Sequence, residues 1–328
     1  MRKRVLFCVP NHSAFIHPIT AALISMGYEV KIFDYQKGNT YSRVLSFVTN
    51  NVYLLNTRFQ PIIFSTKQTA LLNLTRTWKP DLLLTIKGET ISRDTLKELK
   101  RMRVKTVNWY PDWLIFWDWI KIHAPLYTLF ASSCLNTHKK LQQITGNSIY
   151  LPYAACADKQ LYIGPKKYDV TFVGQYTPRR ERLFSAIADL GLSIWGYSRW
   201  SSSKLQHLVQ PAISVEKTLQ VFRESKIVVN ALTGGDDFQP HTVNLRTFET
   251  LGVGTLLLVY KHPVYKRHFD IGKDFIVFSD EVDLRKKTLY YLHHTAARNK
   301  IAKTGWSTVI QKHTYPHRLK LILNKLSV

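Results

Sequence analysis

Cysteine is scarce in this 328-residue chain, which has only Cys8, Cys134 and Cys156. They lie far apart, so neither a disulfide framework nor a CxxC metal motif is present. The twelve histidines include no HExxH spacing, and the adjacent pair His293-His294 does not suit one metal ion. They read as surface or packing residues. No apolar run is long enough to cross a membrane. Met1-Arg2-Lys3-Arg4 looks like the basic start of a signal peptide. The apolar run after it, Val5 to Val9, is too short for one and breaks at Pro10-Asn11-His12. A cytoplasmic protein is expected. Acidic residues are also few: 22 Asp and Glu face 46 Lys and Arg, a formal charge of +24. Such a field attracts nucleic acid, an anionic membrane face or a phosphorylated substrate. The cations are spread along the whole length, so charge alone does not choose among these.

Several motifs are missing as well. The loop after the first strand is "PNHSAF", with no GxGxxG, which argues against an NAD or FAD site. There is no GxxxxGK[ST] of a P-loop ATPase and no GxSxG nucleophile elbow. No RRM, helix-turn-helix, KH or zinc-finger pattern supports nucleic acid as the partner.

What is present is a repeating strand-helix pattern. Hydrophobic residues make up 45% of the chain, enough for two well-packed domains. "KRVLFCVP", a helix over 14–26 stopped by Gly27, and the strand "EVKIFDY" form a βαβ unit. A strand over 82–86, a helix capped by Ser92 and the strand in "VKTVNWYPDW" follow, then "LYTLFASS", "NTHKKLQQITG" and "SIYLPYAA". Residues 35–78 read as helical. The stretch 155–167 reads as a linker, after which the pattern restarts. "YDVTFVG", a helix ended by Gly191, "LSIWG", a helix capped by Ser214 and "KIVVNAL" lead to "HTVNLRTFETLGVGTLLLV". "KDFIVF" adds a short strand, and the last helix spans about 316–326. Each half should be a parallel sheet covered by helices.

In such sheets ligands bind beyond the carboxyl ends of the strands, so the strand-to-helix loops carry the candidates. After "DVTFVG", which ends at Gly174, Arg179 and Arg180 open a helix. Cations there oppose the helix dipole unless an anion is bound, and a phosphate would reverse the sign. After Asn230 a glycine-rich loop leads to a helix expected to start near Thr242, whose free N–H groups suit a diphosphate. Arg246 and Glu249, three apart, share a face of that helix. Glu249 lies seven residues past the expected start, about 10 Å at 1.5 Å per residue, the reach from a diphosphate to the hydroxyls of its ribose. Gly252 and Gly254 let the helix end tightly against the next strand.

These residues resemble the CgeB-like, spore-maturation-type glycosyltransferases, within the broader GT-B group that includes glycosyltransferase family 4. The matching stretches are "YDVTFVGQYTPRRERL", "WGYSRW", "KIVVNAL", "NLRTFETLGVGTLLLV" and "HTYPHRLKLIL", from Tyr168 to Leu323. The first half fits more loosely. The resemblance implies an α/β fold of GT-B architecture: two Rossmann-like domains with parallel sheets facing a deep cleft. Residues 1–160 would form the acceptor side and 161–312 the donor side, with a helix over 313–328 crossing back to the first domain. It implies a sugar transferred from a nucleotide-diphosphate sugar to a saccharide, lipid-linked or surface-polymer acceptor, without a metal or other cofactor and with retention. Donor-side positions are Gly174, Arg179, Arg180, Tyr197, Asn230, His241, Asn244, Arg246 and Glu249. Glu249 matches the ribose-binding glutamate of the wider group. His241 stands where that group has a second glutamate, which leaves the contact to the transferred sugar open. Arg246, Arg179 and Arg180 are candidates to stabilise the leaving diphosphate. His12 and Asp112 are candidate bases at strand ends. The cluster "NWYPDWLIFWDWIKIH" suits core packing, sugar stacking or an anionic membrane surface, the last implying a peripheral position at the inner face of the membrane. Two alternatives stay open, a basic nucleic-acid-binding protein and a GT-B relative that is an epimerase or non-catalytic.

Overall fold

The computed structural model describes residues 2–11, 13–35, 53–111, 116–156, 160–196, 200, 203–231 and 242–327, with side chains of the 53–78 helix from 66 onward. His12, Asp112, Tyr197 and His241 lie outside the described residues. The chain forms two compact units, Met1–Pro152 with Tyr315–Val328, and Tyr153–Thr314.

Unit 1 holds β1 (Arg4–Cys8), α1 (Ile16–Ser25), β2 (Glu29–Phe33), α2 (Tyr53–Trp78), β3 (Leu82–Ile86), α3 (Arg93–Arg101), β4 (Lys105–Tyr110), α4 (Trp117–His123), β5 (Leu129–Ser132), α5 (Leu135–Gln142) and β6 (Ser148–Tyr150). Its six described strands pair in parallel in the order β2-β1-β3-β4-β5-β6. The inner strands are apolar runs because helices cover both faces: β3, "LLLTI", is buried throughout. Each fully buried leucine there contributes about 1.5–3 kcal/mol. α3 shows how local chemistry fixes a helix. Ser92 accepts from Thr95 N, Asp94 lies in the first turn and Lys100 and Arg101 in the last, while Leu96 and Leu99 face the core.

Unit 2 begins with β7 (Tyr168–Val173), α6 (Pro178–Ser185), β8 (Leu192–Trp195), β9 (Val209–Gln210), α7 (Val215–Arg223) and β10 (Ser225–Asn230). It continues with α8 (Leu245–Gly252), β11 (Leu256–Tyr260), β12 (Ile276–Phe278), α9 (Glu281–His293) and α10 (Thr295–Lys312). Its described sheet, also six-stranded and parallel, runs β12-β11-β10-β7-β8-β9. In both sheets strand order reverses beside the first strand, between β1 and β3 and between β7 and β10. That is the doubly wound pattern with its topological switch point.

The last helix, α11 (Tyr315–Leu326), belongs to unit 1 and packs on α1. Arg318, 3% exposed, donates from Nε to Pro152 O at 3.0 Å, and Tyr315 packs against Trp109. The tail "HTYPHR" is thus an anchor. His313 closes unit 2 through a contact with His268 O, and Tyr315 and Arg318 fasten the next turns to unit 1. The boundary expected at 160 falls at Pro152 instead. Ala155 bridges to Thr314, its N–H bonds His313 O, and a Cβ at Gly252 would stand 2.7 Å from its methyl, so residues 153–156 belong to the second core.

Two expectations about helix limits also change. α6 stops at Ser185 and is followed by turns, and Gly191, with φ +73°, serves as the entry to β8 instead of the end of the helix. α8 starts at Leu245, not near Thr242, because Asn244 takes the N-cap and accepts from Thr247 N. Glu249 therefore lies four residues past the first helical position, about 6 Å of rise and not 10 Å. The glycines at its exit divide their work. Gly254, at φ +73°, makes the left-handed turn, and Gly252 allows the close approach to Ala155.

Candidate functional site

In unit 2 the carboxyl ends of β7 and β8 open into a pocket. Val173 and Gly174 come from the first strand end, Trp195 and Gly196 from the second. Ala212, Ile213, Val215 and Thr218 bring in the start of α7, and Arg246 arrives from α8. Counting the open solvent at its mouth, the pocket takes in about 410 Å³. Its described walls are the two glycine backbones, apolar side chains, Thr218 and the Arg246 cation.

The two glycines are needed for this shape. A Cβ at Gly196 would stand 2.1 Å from Trp200 Cδ1 and 2.9 Å from Gly174 O. A Cβ at Gly174 would stand 2.8 Å from Phe172 Cζ. Trp200 Nε1 donates to Gly174 O at 2.9 Å, and Gly174 N donates to Trp195 O at 2.9 Å. Both strand ends are therefore locked with their backbones facing the opening.

Arg246 and Glu249 come together as the spacing predicts. Arg246 Nη1 donates to Glu249 Oε2 at 2.5 Å. The residue Glu249 is only 5% exposed, on a helix whose other face packs into the core. Among the described residues no group bonds its second carboxylate oxygen. A buried carboxylate with one paired and one open oxygen can accept a ligand's hydroxyl. Arg246, with about a third of its side chain exposed, remains at the pocket edge.

Asn244 and Asn230 hold the entrance of α8. Asn244 Oδ1 accepts from Thr247 N at 3.2 Å, Thr247 Oγ1 at 2.9 Å and Asn230 Nδ2 at 3.0 Å. Asn230 Oδ1 is buried without a partner among the described residues. Asn244 is thus occupied as a cap, and among the described residues the N–H groups of Leu245 and Arg246, in the first turn, have no partner.

Arg179 and Arg180 differ from expectation. The start of α6 is already complemented: Thr177 caps it by accepting from Arg180 N, and Glu181 lies in its first turn. Glu181 itself accepts from Tyr176 OH and Lys204 N, both at 2.6 Å. Arg180 turns inward, with 4% of its surface exposed. Its Nε and Nη2 donate to Ala231 O at 3.0 and 2.6 Å, and Nη1 donates to Gln175 O at 2.6 Å. It lies over the Phe172 ring. Burial, then the neighbouring Arg246 charge, pushes its guanidinium down to about 10. Arg180 ties the ends of β7 and β10 together and holds positive charge beneath the switch point; it does not reach outward for a phosphate. Arg179 lies over the Tyr260 ring at the end of β11.

Among the described residues no three His, Cys, Asp or Glu side chains group as metal ligands. No helix among them is long and apolar enough to cross a membrane.

A protein-family model described as glycosyl transferase-like matches residues 179–324, the part of the chain that contains α8 and the tail. No curated protein matches the chain. Among solved structures, a glycosyltransferase from Rickettsia africae is similar at 13% identity and TM-score 0.66, over 98% of this chain and 97% of that one. Sucrose-phosphate synthase from Thermosynechococcus elongatus is similar at 12% identity and TM-score 0.67, over 99% of both chains. Anabaena HepE in complex with UDP-glucose is similar at 10% identity and TM-score 0.61, over 99% of both. The fold is the GT-B fold of these glycosyltransferases. The family match falls on the half that carries the pocket and marks the chain as an enzyme of the glycosyltransferase class.

Proposed function

We propose that the chain transfers a sugar from a nucleoside-diphosphate sugar, with uridine as the base, to a carbohydrate acceptor carried on a lipid or surface polymer. The observation that carries this reading is Glu249: a buried carboxylate with one oxygen paired to Arg246 and the other open, beside a pocket bounded by two glycine strand ends. Glu249 would bind the ribose hydroxyls. The first-turn N–H groups of α8 and the Arg246 guanidinium would receive the diphosphate. As the bond from the sugar's C1 to the phosphate oxygen breaks, its electron pair goes to the diphosphate. Fixed N–H donors and a cation at that point stabilise the developing charge without reorganising. Arg180 supports them from below by fixing the strand ends. The uridine base is suggested by Anabaena HepE, whose structure contains UDP-glucose. Retention at C1, independence of metal and the CgeB-like subgroup are parts of the same proposal, the last carried by "NLRTFETLGVG" with "HTYPHR". A peripheral position on an anionic membrane would use the charge of +24 and the aromatic stretch around α4.

The test is a thermal-shift series with UDP, GDP, ADP, CMP and dTDP, each with and without EDTA. A ligand at a hundred times its Kd stabilises by about 2.7 kcal/mol. At about 2–4 °C per kcal/mol, that moves the melting point by roughly 5–11 °C. UDP should stand out and EDTA should change nothing. A flat response to all five would remove the donor-site reading.

A further inference from the structure

Unit 1 carries apolar and basic side chains on one pair of helices that its core does not use. The chain steps from β4 through α4 to β5, then through α5 to β6, always towards the same edge of the sheet. Right-handed crossovers put both helices on one face. Ile120 of α4 and Leu141 of α5 are accordingly buried in one core cluster. Two contacts hold the helices as neighbours. Lys140 Nζ lies 5.4 Å from the centroid of the Trp117 ring, and Asn147 Nδ2 donates to Ala124 O at 3.0 Å, which ties the segments just after the two helices together.

This pair presents both apolar surface and positive charge to solvent. Phe116, Ile122 and Ile144 keep 40%, 44% and 50% of their surface exposed. Single exposed apolar residues are ordinary, but these three flank one pair of neighbouring helices, beside the half-buried Trp117 and Trp119. From Phe116 to Asn147 the only acidic residue is Asp118, and Lys121 Nζ already pairs with it at 2.6 Å. Lys139 and Lys140 are exposed on a helix without an acid. A polyanion would use the lysines and not the isoleucines. A second copy of this chain, at a formal +24, would bring like charge to the same lysines. Aliphatic tips, tryptophan rings and lysines together match the boundary between lipid headgroups and acyl chains.

We propose that the α4–α5 face of unit 1 docks on an anionic lipid bilayer. Ile122 and Ile144 enter the acyl boundary, and Lys121, Lys139 and Lys140 meet the headgroups. This rests on the peripheral position proposed above and gives it a surface; the donor pocket takes no part in it.

The test is co-sedimentation of the full chain with vesicles of phosphatidylcholine alone, or of phosphatidylcholine and phosphatidylglycerol in equal parts, at low and high salt. One variant combines Ile122→Ser with Ile144→Ser. A second combines Lys121→Gln, Lys139→Gln and Lys140→Gln. The control combines Ile24→Ser with Leu321→Ser, also exposed aliphatics. They lie on α1 and α11, which pack together, and α1, stepping the other way from β1 to β2, covers the opposite face. The unaltered protein should bind the mixed vesicles at low salt and leave pure phosphatidylcholine unbound. The isoleucine variant should bind about tenfold more weakly or worse. Each lysine at an anionic surface is worth about fivefold, so the lysine variant should lose about 100-fold. The control should match the unaltered protein, and all melting points should agree. Binding by both α4–α5 variants within twofold of the unaltered protein overturns this face and leaves the peripheral position standing, as does an equal loss in the control. Loss in the lysine variant alone also overturns it, because a polyanion such as DNA would bind in that way. No binding of the unaltered protein to the mixed vesicles removes the peripheral position and this face together, and leaves the donor site untouched.

Discussion

Glu249→Ala separates ribose binding from simple support of Arg246. A hydrogen bond to a charged group is worth about 1.5–3 kcal/mol, and each 1.4 kcal/mol is tenfold in Kd. Removing the carboxylate should therefore weaken UDP by roughly 10–150-fold. The ion pair itself is a small part of that figure. Arg246 keeps about a third of its side chain in solvent, so losing its partner costs about 1 kcal/mol or less, a few degrees of melting temperature. Uridine, which lacks phosphates, makes the separation clean. If Glu249 holds the ribose, Glu249→Ala weakens uridine and UDP by a similar factor. Arg246→Ala, which removes the cation at the diphosphate, weakens UDP and leaves uridine nearly unchanged. Calorimetric titration of both ligands into both variants reads this directly. The reasoning fails if Glu249→Ala leaves uridine untouched and weakens UDP only in step with Arg246→Ala. Glu249 would then do no more than orient the arginine.

Gly196→Ala should lower the melting point and UDP affinity together, because its Cβ overlaps Trp200 and crowds Gly174 O; overpacking of this kind costs about 1–3 kcal/mol, read by thermal melt and calorimetry. Lys87→Gly should stabilise by about 1 kcal/mol by releasing a left-handed non-glycine residue, seen as a higher melting point with UDP affinity unchanged. Lys166 sets a pH dependence. Burial, then the charges of Arg298 and Arg223, push its ammonium down to about 8 in the fold, below the roughly 10.4 of an unfolded lysine. The unfolded chain binds its proton more tightly, so this destabilisation is complete below about pH 8 and fades as pH rises towards 10.4. The melting-point advantage of Lys166→Met over the unaltered protein should therefore shrink across that window; an advantage that grows with pH would contradict the assignment.

The strands were legible because buried parallel strands are written as short apolar runs with turn residues between them. "LLLTI" over 82–86 and "LLLVY" over 256–260 leave little choice of register. The helix caps at Ser92 and Ser214 were legible for a similar reason, since a serine before a periodic helix has one local use. The pairing of Arg246 with Glu249 followed from helical spacing alone. The start of α8 was misplaced because Thr242 and Asn244 are both capable caps, and only the bonds to Thr247 and Asn230 decide between them. The support around the turn after β3 was illegible for a different reason. In "TIKGET" the glycine announces a turn, but the sequence does not show that Tyr35, Asn108, Tyr110 and Gln68, from four separate segments, converge on it.

The arginines of α6 show how a sound local rule can point to the wrong atom. Cations in a first helical turn do oppose the dipole, so the rule correctly demanded compensation. The sequence offered a phosphate as the compensating anion, but the structure supplies it within the turn. Thr177 caps the N–H group, Glu181 brings negative charge, and Arg180 leaves the helix end to spend its donors on Ala231 O and Gln175 O. Carbonyl oxygens carry only partial charge, so they satisfy the guanidinium's hydrogen bonds without neutralising it, and the residue remains a buried cation close to Arg246. Two such charges near one switch point, with Glu249 paired to only one of them, leave a positive surplus among the described residues at the ends of β7 and β10. An incoming diphosphate would offset that surplus. Under the proposed function the anion inferred from the sequence would have Arg246 and the first turn of α8 as its contacts, with Arg180 as the charge behind them.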